Sequence, residues 1–267
     1  MQIIVGMNNI LQQYVPDAVA KYDDTYTPRG FGDNFQSWGA STVLIESGGL
    51  KGDPEKQQIR KLNFIIILNA LMEIAQGTYE NYDAQGYEDI PFNASNMHDV
   101  VIRGLEFGSD SIPLKSDIAL RRGEVTDGRD FFVRGRVEDI GDLPESFGYD
   151  EVQGEGLKFI QGKIAEKPVP SFESITPEIA YDLLKKGYMG VQVQTLKPEQ
   201  ANMFHNLPIH VFTGTSFATT PMIDLGGTAN FYIGDSNGNL KYAILNGYLI
   251  DLSKPLSEVG LLKNRVL

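Results

Sequence analysis

Residues 28–79 read PRGFGDNFQSWGASTVLIESGGLKGDPEKQQIRKLNFIIILNALMEIAQGTY. At the centre, Ser41-Thr42-Val43-Leu44-Ile45 is a short β-rich apolar run without alternation, which suits a strand covered on both faces in an α/β sheet. Glu46 follows directly, then Ser47, Gly48 and Gly49. A carboxylate at the C-terminal end of a buried strand lies where open α/β sheets place their ligand crevice. The remainder predicts a helix, with Asp53 as N-cap, Pro54 at the first helical position and Glu55 in the first turn. Ile59, Leu62, Ile66, Ala70 and Ile74 recur at steps of three and four, Ile65, Ile67 and Leu71 widen the stripe, and Gly77 supplies the stop. At about 1.5 Å per residue, a helix reaching Gln76 is on the order of 35 Å long, enough to cross a sheet.

The stretch resembles the zinc metallocarboxypeptidases of the carboxypeptidase A type, specifically bacterial relatives in which a glutamate in a Leu-Ile-Glu-Ser-Gly-Gly context, here Leu44 to Gly49, ends the last catalytic strands. The likeness runs from Tyr14 to Tyr79 and includes Tyr22-Asp23-Asp24 and the segment from Pro28 to Asn34. It implies an α/β/α layer in which Glu46 is the general base. In the family that glutamate takes a proton from a zinc-bound water and passes it to the leaving amine, which needs a carboxylate close to the metal in a partly dry crevice. The resemblance also implies a tyrosine that closes over the substrate shortly before the glutamate, and Tyr26 and Tyr22 are the candidates. Taken on spacing alone, Glu46 reads as a strand-end carboxylate facing the helix or solvent.

The family holds its zinc with a His-x-x-Glu pair and a later histidine, all upstream of the general base. This chain has three histidines, His98, His205 and His210, all after Glu46, and Val101, Pro208 and Thr213 stand three places beyond them. The zinc ligands do not carry over, and neither do the arginine and asparagine that grip a substrate's terminal carboxylate. The expectation is the C-terminal part of a longer enzyme. Zinc belongs to that parent family, a peptide is its substrate, and no metal is expected on this chain.

A chain of 267 residues can bury one large core or two moderate ones, and 42% hydrophobic with 22% charged residues is ordinary for a soluble globular protein. No run approaches the ~18 apolar residues of a membrane span, because Asn69 and Glu73 interrupt Phe64 to Ile74. Met1 to Asn9 has no basic region ahead of its apolar residues, so no signal peptide is expected here. The resembling family is often periplasmic or secreted, and such a signal would then lie upstream. The lack of cysteine excludes disulfides, thiol catalysis and zinc thiolate sites. Residues 1–92 hold 6 basic and 12 acidic side chains and residues 93–267 hold 17 and 23, so each part carries −6 of the net −12. Both would repel phosphate backbones, which argues against a nucleic-acid partner. Arg121-Arg122 and Arg134/Arg136 are basic concentrations too small to change that.

Gln2 to Val15 predicts a helix stopping before Pro16, with a second turn to Lys21. Residues 22–40 read as a long aromatic and glycine-rich loop with Phe31, Phe35 and the sole tryptophan, Trp38, bordering a substrate cleft or packing under the sheet. Gly77 to Asn96 is polar and aperiodic, and the domain boundary is placed there, between residues 92 and 93. Beyond it, short runs predict strands at Val100 to Ile102, Ile118 to Leu120, Phe131 to Val137, Met189 to Val193, Ile209 to Phe212, Phe231 to Ile233 and Leu240 to Leu252. Phe131, Val133 and Val137 alternate with Phe132, Arg134 and Arg136, the pattern of a strand with one wet face. Asp235 to Asn239 carries an Asn-Gly turn signal, and Thr176 to Lys186 predicts the one helix, with Pro177 at its first position. The expected architecture is therefore an incomplete carboxypeptidase-like α/β layer followed by a mostly β accessory domain, a sandwich. Missing strands would leave an apolar face uncovered, so a homo-oligomer or a tight interface between the domains is expected.

Two further segments draw attention. Gly214-Thr215-Ser216-Phe217-Ala218-Thr219 resembles the nucleophile segment of subtilisin-type serine proteases, but the Asp and His contexts that Ser216 would need are absent from the sequence. Ser116 to Leu120 and Gly135 to Asp142 are similar to the small β domain that accompanies amidohydrolases, over too few residues to carry chemistry. The competing functional class is a non-catalytic binding protein that uses the β-rich domain.

Overall fold

The computed structural model describes residues 1–267 apart from 24, 51, 54, 95 and 110 and the side chain of 109. Two compact units result, Met1–Ser95 and Asn96–Leu267. Helices and strands are both present, and the long strands form a mixed sheet curled into a half-barrel. Among the described residues no helix is long and apolar enough to cross a membrane.

Among the described residues the first unit holds four α-helices, α1 (Gln2–Tyr14), α2 (Phe31–Ser37), α3 (Gln57–Gln76) and α4 (Gln85–Glu88). Met7 of α1 packs on Ile66 and Ala70 of α3, with Ile3, Ile10 and Leu11 at the margin. Buried Glu73 sits in the same unit and accepts a 2.7 Å hydrogen bond from the Tyr82 hydroxyl. Of the three-and-four stripe, Ile66 and Ala70 are packed while Ile74 lies exposed, and so do Ile67 and Leu71 of the residues expected to widen it. Asp53 caps α3 from further back than expected. Lys56 takes a left-handed φ of 53° that delays the helix to Gln57, and the Asp53 carboxylate accepts from the amides of Gln57 at 2.8 Å and Ile59 at 3.0 Å. Pro54, expected at the first helical position, lies outside the described residues.

The strand expected over Ser41 to Ile45 is not formed, and Val43, Leu44 and Ile45 are exposed. A strand needs a neighbour for its amides and carbonyls. Among the described residues the only β pairing in this unit is the bridge between Lys21 and Phe92. The loop expected over 22–40 contains α2 instead, because Asp33 accepts from the Thr27 amide at 2.9 Å and the Asn34 side chain donates to the carbonyls of Pro28 and Gly30. Phe31, Phe35 and Trp38, at helical spacing, share one side of that turn of chain, and all three are exposed. Nor is the segment before residue 95 a bare linker. Lys21 Nζ binds the Glu88 carboxylate at 3.0 Å and the carbonyls of Tyr87 and Glu88, folding that segment back onto the first unit.

The second unit opens with three long antiparallel strands, β1 (Met97–Ser109), β2 (Ile112–Asp127) and β3 (Asp130–Gly141). Shorter strands follow, β4 (Phe147–Gln153), β5 (Lys158–Ile160), β6 (Lys163–Ile164) and β7 (Val169–Ser171), then α5 (Pro177–Lys185) and β8 (Tyr188–Thr195). The remainder is β9 (Phe204–His205), β10 (His210–Phe212), β11 (Phe231–Gly234), β12 (Leu240–Leu245), β13 (Tyr248–Asp251) and β14 (Asn264–Arg265). The main sheet runs β13-β12-β11-β5-β1-β2-β3, and β4 lies parallel to β1 beside β5. Every residue of β11 is buried, with Phe231 and Ile233 in the core under β1 and β2 and Tyr232 on the opposite face with Met189 and Phe212. The small parallel sheet of β10, β8 and β6 thus packs on the outer face of the curled sheet.

Curling is completed by residues 226–229. The Gly226 amide donates to Val137 O, and the Ala229 amide to Gly135 O, on the outer edge of β3, while Ala229 O accepts from the Gly247 amide. Expected as one run, Leu240 to Leu252 is a hairpin turning at Asn246 and Gly247, with φ of 49° and 74°. Asn-Gly is the residue pair such a turn favours. The backbones of residues 135 and 247 approach so closely that only glycine fits at 135, where a Cβ would lie 2.2 Å from Gly247 N.

Candidate functional site

Glu46 is exposed in an irregular segment, and that segment is tied to α3 one residue later by a 2.7 Å hydrogen bond from Asn63 Nδ2 to Ser47 Oγ. Of the two candidate tyrosines, Tyr22 is the one that feels the charge of Glu46. Slight burial, and after it the negative charge of Glu46, push the Tyr22 phenol above its ordinary range. Tyr26 is directed elsewhere, its hydroxyl donating to Asn34 Oδ1 of α2 at 3.3 Å. A general base of the carboxypeptidase kind acts on a metal-bound water. Among the described residues no group of three or more His, Asp or Glu is placed to hold an ion. All three histidines belong to the second unit and are buried there. The described residues around Glu46 therefore do not form a zinc site.

His98 stands on β1, where burial and then the charge of Arg121 lower its pKa. Burial holds both His205 and His210 at about 4. Asn230 Oδ1 accepts the Asn246 amide at 2.8 Å, so the oxygen end of that side chain also faces His210 Nε2 at 2.8 Å. Nε2 must then carry the proton of a neutral ring. Ser216 donates its hydroxyl hydrogen to Thr213 O at 2.8 Å, which leaves it paired with a backbone carbonyl rather than with a base. The serine-protease resemblance finds no triad geometry here.

His210 and Ser216 line a cavity of about 630 Å³ whose other wall is the face of β2 and β3. Strand register builds that wall, since Arg121 pairs with Arg136, Gly123 with Arg134 and Val125 with Phe132, all on one face. Arg265 of β14 joins them. The Phe132 ring lies 5.1 Å from the Arg134 guanidinium and 4.3 Å from that of Arg265. Glu138 pairs with Arg121 at 3.3 Å and Arg136 at 2.9 Å, and Asp127 with Arg265 at 3.4 Å. Sequence reading found Arg121 and Arg134/Arg136 but missed the site. Alternation in β3 was the available signal, while the register and the arrival of Arg265 from over a hundred residues away are not local properties.

Comparison of the chain with protein-family models, with curated proteins and with solved structures finds no match.

Proposed function

We propose that the first unit is the C-terminal part of a carboxypeptidase-like α/β layer, and that the parent enzyme hydrolyses the C-terminal bond of a peptide to release an amino acid. Glu46 acts in it as proton acceptor beside Tyr22. The supporting observation is uncovered apolar surface. Among the described residues of this unit only Val5, Met7, Ile66, Ala70 and Ile90 form buried apolar core, against seventeen exposed large hydrophobic side chains that include Val43, Leu44, Ile45, Phe64 and Leu71. An apolar run that ends in Glu46, lying unpaired beside a half-bare helix, is what a layer looks like without its remaining strands. In this reading zinc is held by residues outside the chain, and the chain purified alone carries no stoichiometric zinc. The packing of the small parallel sheet on the curled sheet supports a sandwich-like accessory role for the second unit.

The test is to translate the DNA upstream of Met1 and express the chain with any in-frame segment bearing His-x-x-Glu and a later histidine. That protein should release C-terminal amino acids from peptides, and Glu46→Gln should lower turnover by roughly 10²- to 10⁴-fold with substrate binding retained. Unchanged turnover in Glu46→Gln removes Glu46 from the mechanism. A stop codon immediately upstream removes the peptidase reading and favours the second one, a binding role for the β-rich unit, which the arginine-lined cavity supports.

A further inference from the structure

The cavity between β2, β3 and the segment around Ser216 presents four guanidinium groups against two carboxylates, Glu138 and Asp127. That local excess of positive charge stands in a chain of net charge −12. Two features leave it unsatisfied from within. Arg265 Nε is buried and has no hydrogen-bond partner among the described residues. Leaving a charged donor dry and unpaired is costly, so the charge of this guanidinium is only partly offset from within the protein. Arg134 has no carboxylate partner among the described residues, and it rests over Phe132. Gly123, directly across the ladder from Arg134, adds no side chain to the space in front of it.

The opposite wall is not cationic. His210 is neutral, with a pKa lowered to about 4 by burial, and its ring stacks on Phe217 at 4.5 Å. The cavity therefore has a guanidinium side and an aromatic side. Its volume of about 630 Å³ is that of a site for a small organic molecule rather than a bare ion. We propose that this cavity binds a small organic oxyanion, a carboxylate or phosphate carried on an aromatic or branched apolar group, with Arg134 and Arg265 as its cationic contacts. Guanidinium planes held over a ring are preorganised for two-pronged hydrogen bonding to such an oxyanion. The inference goes beyond the peptidase reading and does not rest on it, because every residue it uses belongs to the second unit.

The experiment titrates the full chain with N-acetylphenylalanine, phenyl phosphate, inorganic phosphate and the neutral N-acetylphenylalanine amide, followed by calorimetry and by amide NMR shifts at Gly123 and Phe217. Saturable binding of at least one aryl anion at one site is expected. Arg134→Ala and, separately, Arg265→Gln should weaken it roughly ten- to hundredfold. Lys254→Ala, remote from the cavity, should not change it. Whichever aryl anion binds more tightly identifies the oxyanion. Arg134→Ala alters an exposed side chain, so the test survives even if Arg265→Gln unfolds. Failure of both aryl anions to bind, equal binding of the neutral amide or of inorganic phosphate alone, or an unchanged affinity in Arg134→Ala overturns the proposal.

Discussion

Asn230 holds His210 and the turn at Asn246 with one atom: its Oδ1 lies 2.8 Å from His210 Nε2 and 2.8 Å from the Asn246 amide nitrogen. The two donors converge on it from β10 and from the β12–β13 turn, so the side chain ties the small sheet to the rim of the half-barrel. Asn230→Ala would leave a buried imidazole N–H and a backbone amide without an acceptor. Each such loss costs about 1–3 kcal/mol. Denaturant unfolding should show a midpoint lowered accordingly at unchanged slope, and a variant as stable as the parent would mean that water replaces both contacts.

The same burial makes the second unit acid-sensitive. His205 and His210 have folded pKa values of about 4, below the ordinary 6.5. As pH falls through 6.5 the unfolded chain protonates both rings while the folded chain does not until about 4. Stability is therefore fully present above 6.5 and is lost progressively down to about 4, by on the order of 3 kcal/mol per ring. Glu173, held at about 2 chiefly by its hydrogen bond from Lys197, titrates below this window. Urea unfolding at several pH values between about 7 and 4.5 measures the slope, and a level stability across that range would contradict the assignment.

Much of the second unit was legible because its signals are local. Pro177 stands at the first position of α5 as its sequence predicts, with Thr176 accepting the Ile179 amide, and Asp235 to Asn239 turns between β11 and β12. The apolar runs at 100–102, 118–120 and 231–233 lie inside β1, β2 and β11. What failed depended on partners. Ser41 to Ile45 has the composition of a buried strand, but β structure is a property of pairs, and among the described residues nothing lies beside it to pair with. Tyr22 and Tyr26 could not be ranked from spacing; the fold directs the Tyr26 hydroxyl to Asn34 of α2, while Tyr22 feels the charge of Glu46. The cavity was invisible for a related reason, since Arg134 and Arg265 meet only over Phe132.

The exposed aromatic side of α2 and the Phe64, Leu68 and Leu71 side of α3 predict association. Contiguous apolar surface of this kind is normally covered. Sedimentation velocity should show concentration-dependent oligomers that Phe64→Lys with Leu68→Lys suppresses, while far-UV circular dichroism stays unchanged because both side chains point away from Ile66 and Ala70. A monomer at all concentrations, with or without the two lysines, would count against the uncovered layer.

Gly135 and Gly123 make a controlled pair on facing strands. At Gly135 a Cβ would meet backbone, Gly247 N at 2.2 Å and Asn246 C at 2.3 Å, and neither atom can move without opening the hairpin turn. The same displacement would strain the bond from the Ala229 amide to Gly135 O and the one from the Gly247 amide to Ala229 O, which together close the half-barrel. At Gly123 the nearest atom is Arg134 O at 3.8 Å, ordinary contact distance, and its φ lies outside the left-handed region. Gly135→Ala should therefore cost about 3 kcal/mol or more, the upper range for forcing atoms into filled space, whereas Gly123→Ala should cost well under 1 kcal/mol. Because the clash pushes the turn away from β3, it should also enlarge the cavity and raise amide exchange at Ala229 and Gly247 before the rest of the unit opens. Equal stability of the two variants would mean that the turn at Asn246 and Gly247 is free to retreat from β3, and that the closure of the barrel does not depend on that contact.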